Sequence, residues 1–256
     1  MFIFNLSKSA YNFFSVNQNY KKILLDKPPC KRLDGDAEFF KNDDGSPTLL
    51  MQLVVHVVDI EGEACIVVVD AKTRFSLVLV DLEEGALNQF FNQFIIRMSD
   101  AVNEYGLATN IFEKDFSELL LHNCLDQHRY AKFFKRNDQS VQGTLTDVVN
   151  HARRAFEDKG YLFKTVEDMI IFNQRMNKRP RNFKSKNNPK KIEQIFPEVE
   201  LLIDWLKNYA SATEGDLIKA RIQIAQFTRR NFPQSVRTKL NSKVILLDDF
   251  RTKIVH

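Results

Sequence analysis

The strongest hydrophobic pattern in the chain is helical. Leu87, Phe90, Phe91, Phe94, Ile95, Met98 and Val102 recur at i, i+3, i+4, i+7, i+8, i+11 and i+15. That spacing lays one apolar stripe along an α-helix, and Gly106 suits its end. An aromatic stripe of this kind predicts a helix covering a core rather than a cofactor box. Val141, Leu145, Val148, Val149, Ala152 and Phe156 predict a second long helix from Ser140 to Lys159, closed by Gly160. A third begins at Thr165, where Thr165 and Asp168 make a capping pattern, and runs through Met169, Ile170, Phe172 and Met176 toward Pro180. Val199, Leu202, Ile203 and Leu206, with Trp205 among them, predict another, and Leu217 to Phe227 one more.

The strand signals cluster nearer the start. Phe2 to Leu6 is a short β-like run followed by a helix from Ser7 to Phe14. Residues 17–47 are polar and rich in turn signals. Leu49 to Val58, Ala64 to Val69 and Arg74 to Val80 then follow as strands, separated by Asp59-Ile60-Glu61-Gly62 and by Asp70-Ala71-Lys72-Thr73. Connections this short favour an antiparallel meander, because parallel neighbours need long crossovers. Lys243 to Leu247 reads as a last strand. The expected fold class is α+β: an N-terminal antiparallel sheet packed by a long amphipathic helix, a mostly helical half, and a helical C-terminal extension. Residues 178–191, with seven cations, two prolines and no acid, mark the boundary between a domain at 1–181 and a basic linker plus extension at 182–256.

Composition narrows the chemistry. The eight glycines lie no closer than ten positions apart. No Walker, dinucleotide, kinase or nucleophile-elbow loop can therefore be written. Three well-separated cysteines argue against a disulfide framework or zinc ribbon. No apolar run reaches the ~20 residues of a membrane span, and no signal peptide is expected before the first strand. A cytoplasmic protein with no membrane partner is expected.

Charge changes the picture more. Residues 1–130 carry 12 basic and 19 acidic side chains, whereas residues 131–191 carry 15 basic and 6 acidic. An excess of this size points to a polyanionic partner. The candidate nucleic-acid contacts are Lys132, Lys135, Arg136, Arg153, Arg154, Lys178, Arg179, Arg181, Lys184, Lys186, Lys190 and Lys191, with Phe183 as a base-stacking ring. Arg153 and Arg154 fall opposite the apolar stripe of their helix and are expected at the surface. The chain's own acidic N-terminal half could satisfy the same charges.

A metal-dependent nuclease is the alternative. Asp59, then Asp70-Ala71-Lys72, has the acid…acid-x-Lys order in which two carboxylates hold Mg²⁺ and the lysine orients water, with Glu61 and Glu63 as further ligands. The same residues also suit plain hairpin turns. No cofactor is expected outside that alternative. His122, Cys124, Asp126 and His128 have metal-ligand types, but on a helix they split between two faces. His56 reads as a core or edge histidine within its strand.

With the elements placed, residues 1 to about 181 resemble a bacterial family of unknown function, short proteins with a β-rich first half and a helical second half. The resemblance rests on Phe2 to Phe14, on Thr73-Arg74-Phe75-Ser76, and best on Asp138 to Thr144 with Asp147, Asn173, Arg175, Asn177 and Pro180. The acidic insert near 34–45 and the tail after 181 depart from it. It implies the α+β fold and no particular activity, and only a loose association with phage defence, toxin–antitoxin systems or mobile elements. The leading reading is a non-enzymatic protein that binds nucleic acid or a nucleoprotein partner through residues 132–191. A protein–protein adaptor is the third.

Overall fold

A computed structural model describes residues 1–15, 27–184 and 192–231. Its elements are β1 (Phe2–Leu6), α1 (Lys8–Phe14), a 3-10 turn (Leu33–Glu38), β2 (Met51–Ile60), β3 (Glu63–Asp70), β4 (Ser76–Leu79), α2 (Leu87–Ala108), α3 (Lys114–Gln127), β5 (Ala131–Lys135), α4 (Gln139–Lys159), α5 (Val166–Asn177), β6 (Arg181–Lys184), β7 (Ile192–Ile195), α6 (Pro197–Tyr209) and α7 (Glu214–Asn231). The strand expected at Lys243 to Leu247 lies outside the described residues.

The class is α+β, built on a five-stranded sheet of order β4-β3-β2-β1-β5. The meander β2-β3-β4 is antiparallel, as its short connections require. Glu61 and Gly62 both take positive φ in the β2–β3 turn, the geometry that matches strand twist in a two-residue hairpin loop. β1 runs parallel to both β2 and β5, so the sheet is mixed. Each of those partners is reached through a long crossover, and β5 is an edge strand with one buried side chain, Phe134.

Pleating sends alternate residues to opposite faces. Phe2, Phe4, Leu6, Leu53, Val55, Ile66, Val68, Leu77 and Leu79 face one core, which α1, α2, α3, α6 and α7 complete. Its centre is aromatic: Phe4 stacks on Phe133 at 4.9 Å and meets Phe90 and Phe94 edge-on at 5.5 and 5.3 Å. Val54, Cys65, Val67, Val69, Val78 and Val80 face the second core, covered by α4 and α5. The helical extension belongs to the first core: Leu201, Leu202, Trp205 and Leu206 of α6 are buried in it beside the sheet residues.

Helix ends follow local chemistry. The Ser7 hydroxyl caps α1, Thr165 caps α5 through the Asp168 N–H, and Gly160 closes α4 with φ 75°. β4 is the other edge of the sheet, and two asparagines cover it. The Val78 N–H donates to Asn173 Oδ1 at 2.8 Å, and Asn173 Nδ2 returns a bond to Val78 O at 3.0 Å. Asn177 does the same to Ser76, at 2.8 and 2.7 Å. One helical turn apart on α5, the two amides mimic a sixth strand and close the edge to further pairing.

Candidate functional site

The acid…acid-x-Lys alternative is not assembled. In the β2–β3 ladder Asp70 pairs with Leu53 and Asp59 sits across from Ala64, so the acids lie six residues apart along β2, about 20 Å at ~3.4 Å per residue. Asp59 is exposed and accepts the Gly62 N–H of its turn. Asp70 is buried; burial pushes its carboxyl up, and its oxygens accept from the Lys72 and Thr73 N–H groups and the Thr73 hydroxyl. Those bonds shape the turn that leads to Arg74 at φ 62°. Lys72 reaches across to Asp204 on α6. The three residues are thus turn and docking residues, and among the described residues no group of three or more His, Cys, Asp or Glu could hold a metal ion.

The basic residues divide into two kinds. Arg136, read from the sequence as a surface cation, is buried. It grips Asp36 with both terminal nitrogens at 2.9 and 2.5 Å, donates through Nε to Asn5 Oδ1 at 2.8 Å and reaches Cys30 O at 3.1 Å. Gln52 adds a 2.7 Å bond to Asp36, and the Cys30 thiol one at 3.1 Å. Burial alone would raise the Asp36 carboxyl, but bonds from Arg136, Gln52 and Cys30 outweigh it, and the net direction is down. Part of the acidic insert therefore neutralises a basic side chain from inside the fold. Arg181 is buried as well, paired with Asp147 of α4. Neither side chain is free to meet a phosphate.

The other described candidate cations are exposed or half-buried. Arg153 and Arg154 are exposed on α4, opposite its buried stripe, and Lys178 and Arg179 are exposed just beyond α5. The two groups meet: Arg179 Nη1 lies 2.5 Å from His151 Nε2 on α4. Burial first, and then Arg179 and Arg154, hold the His151 imidazole below its usual range. Lys132 and Lys135 lie away from this corner, on the β5 edge, where Lys132 sits 5.9 Å over the Phe40 ring and Lys135 4.3 Å over Tyr11.

Strands on either side of residues 185–191, in the stretch read as a linker, are paired. β6 and β7 pair antiparallel from Arg181↔Ile195 to Lys184↔Ile192. Phe183 and Lys184 lie on β6, though their side chains, like residues Lys186, Lys190 and Lys191, are outside those described. The Arg181–Asp147 pair fixes the root of this hairpin to α4, beside Arg154 and Arg179.

Other sequence candidates resolve as structural. His122 pairs with Asp126 at 3.3 Å on the outside of α3, whereas Cys124 is buried and His128 lies inward, stacked on Phe2 and 2.6 Å from the Tyr209 hydroxyl. His56 is half-buried, with Nδ1 3.1 Å from Ser7 Oγ and 3.3 Å from Ser9 Oγ. It lines a polar recess of about 440 Å³ with Lys8, Asn137, Asp138 and Gln142.

Together these features define a three-layer α+β protein with a mixed sheet, an amide-capped edge and a cationic hairpin rooted on α4. A family model described as Domain of unknown function (DUF6933) matches residues 25–193, and the chain belongs to that family. No curated protein and no solved structure matches it. The residues that carried the resemblance have structural work here: Asp138 caps α4, Asp147 holds Arg181, and Asn173 and Asn177 cover the β4 edge. No helix among the described residues is long and apolar enough to cross a membrane.

Proposed function

We propose that this is a non-enzymatic bacterial cytoplasmic protein that binds nucleic acid through the corner formed by α4, the end of α5 and the β6–β7 hairpin. The observation that carries the reading is the hairpin itself. Its connection holds Lys186, Lys190 and Lys191 in sequence, its strand β6 ends at Lys184, and its root stands near the exposed Arg154 and Arg179, with Lys178 next to Arg179 in the chain. Asp147, the acid that would oppose a phosphate there, is neutralised by buried Arg181. A two-stranded ribbon fits a nucleic-acid groove, and lysine and arginine contacts to phosphate supply affinity without sequence readout.

Reversing Lys184, Lys186, Lys190 and Lys191 to glutamate tests it. Fluorescence anisotropy with a short labelled duplex and a single strand of the same length should show affinity falling by at least about two orders of magnitude, since several phosphate contacts are lost together. The far-UV circular dichroism spectrum should not change. Affinity equal to wild type for both polymers would refute the reading. Arg136→Glu or Arg181→Glu would unfold the protein instead and reports nothing about the interface.

A further inference from the structure

Bordering the cationic corner at Lys178, a cavity of about 390 Å³ lies between α2, α5, α6 and the covered β4 edge. Small-molecule sites occupy about 300–1,000 Å³ and are mostly apolar with a few polar groups. Phe75 just before β4, Leu77 of β4, Ala101 of α2, Ile170 of α5 and Leu201 of α6 line its walls.

Its charged groups are unevenly matched. Asp100, Glu104 and Glu198 line the cavity on the acidic side, and Arg97 and Lys178 on the basic side. Asp100 accepts a 3.2 Å bond from Arg97, and Glu104 one from Gln174. Glu198, in the first turn of α6, has neither a hydrogen bond nor an ion pair among the described residues. Burial pushes its carboxyl from the ordinary 4.5 up to about 8, against the pull of the Lys178 ammonium. Tyr105, the remaining titratable group in the wall, is held protonated by burial and by Glu198.

A carboxyl in an apolar chamber is stable when neutral or when a counter-charge arrives with the guest. An anionic guest would find no counter-charge in the neutral Glu198 carboxyl and would meet the carboxylates of Asp100 and Glu104. A guest with several cationic centres would meet Arg97 and Lys178. We infer that this cavity binds a small apolar monoamine, its hydrocarbon or aromatic body against Phe75, Leu77 and Leu201 and its single ammonium paired with Glu198. The inference is separate from nucleic-acid binding: Lys178 borders both sites, but the proposed ammonium partner, Glu198, is no part of the corner.

Isothermal titration of the full chain with three matched probes tests it: phenethylamine, 2-phenylethanol and 3-phenylpropionate. At pH 7 the amine should bind about tenfold or more tightly than the alcohol, and the propionate should not bind. In buffers of different ionisation enthalpy, amine binding should release close to one proton, from Glu198. Glu198→Gln should bring the amine down to the level of the alcohol. Ala101→Leu, which fills the cavity and keeps the carboxyl, should weaken amine and alcohol alike. Equal binding of amine and alcohol to wild type would overturn the inference. So would no amine binding at millimolar concentration, or an amine affinity untouched by either substitution.

Discussion

Asp36 and Arg136 are one hundred positions apart in sequence, and their side chains are 0% and 4% exposed. Removing one partner leaves the other as an uncompensated buried charge, which costs about 3–5 kcal/mol. Asp36→Asn should therefore lower stability in urea by that amount, and a loss under ~1 kcal/mol would contradict the role assigned to the pair. The pH dependence has a definite sign. Asp36 holds its proton less tightly in the fold than in the open chain, so its contribution is present above the ordinary carboxylate range and is lost as pH falls through and below it. Glu198 acts oppositely: folding raises it from 4.5 to about 8, so stability declines as pH rises across that window. Glu198→Gln should flatten the decline between pH 5 and 8, measured by urea midpoints at several pH values. An unchanged slope would show that the carboxyl is not buried as described. Neither role was legible in the sequence. Arg136 follows Lys132 and Lys135 in a basic run, Asp36 sits in a turn-rich acidic loop, and only tertiary contact joins them.

Elements with a strong local period were readable. The stripes of α2, α4 and α6 and the β-branched meander declared themselves, because each buries one face against a neighbour. β5 did not. It is five residues long, at a sheet edge, with only Phe134 buried, so it carries little alternation to detect. The parallel setting of β1 was equally hidden, since its partners lie about 50 and 130 positions away. The run from Lys178 to Lys191 looked like a linker from its prolines and charges, whereas the pairing of β6 with β7 is set between four-residue strands too short to show a period. The asparagines of α5 were visible as motif residues, but not their function. Asn177→Ala should leave the Ser76 N–H and C=O unsatisfied and cost about 1–3 kcal/mol. It should also expose the β4 edge, seen as concentration-dependent association in light scattering. A variant as stable and as monodisperse as wild type would contradict the capping role.

At the scale of the whole chain, α6 and α7 lie on the same core as the sheet rather than beyond it. The sequence suggested a boundary near residue 181, because a basic, proline-bearing run separates the two apolar patterns there. Trp205, the single tryptophan, is 1% exposed in that shared core. Its fluorescence and the far-UV circular dichroism should therefore report one coincident urea transition. Separated midpoints would show that the extension unfolds on its own.

The central claim is that the α4–hairpin corner binds a polyanion. It is tested most directly by the salt dependence of wild-type binding to a labelled DNA duplex and to an RNA strand. If the corner engages four or more phosphates, log K against log salt should fall with a slope of about −3 or steeper for one of them. Binding that ignores salt, or no binding of either polymer at low salt, would contradict it.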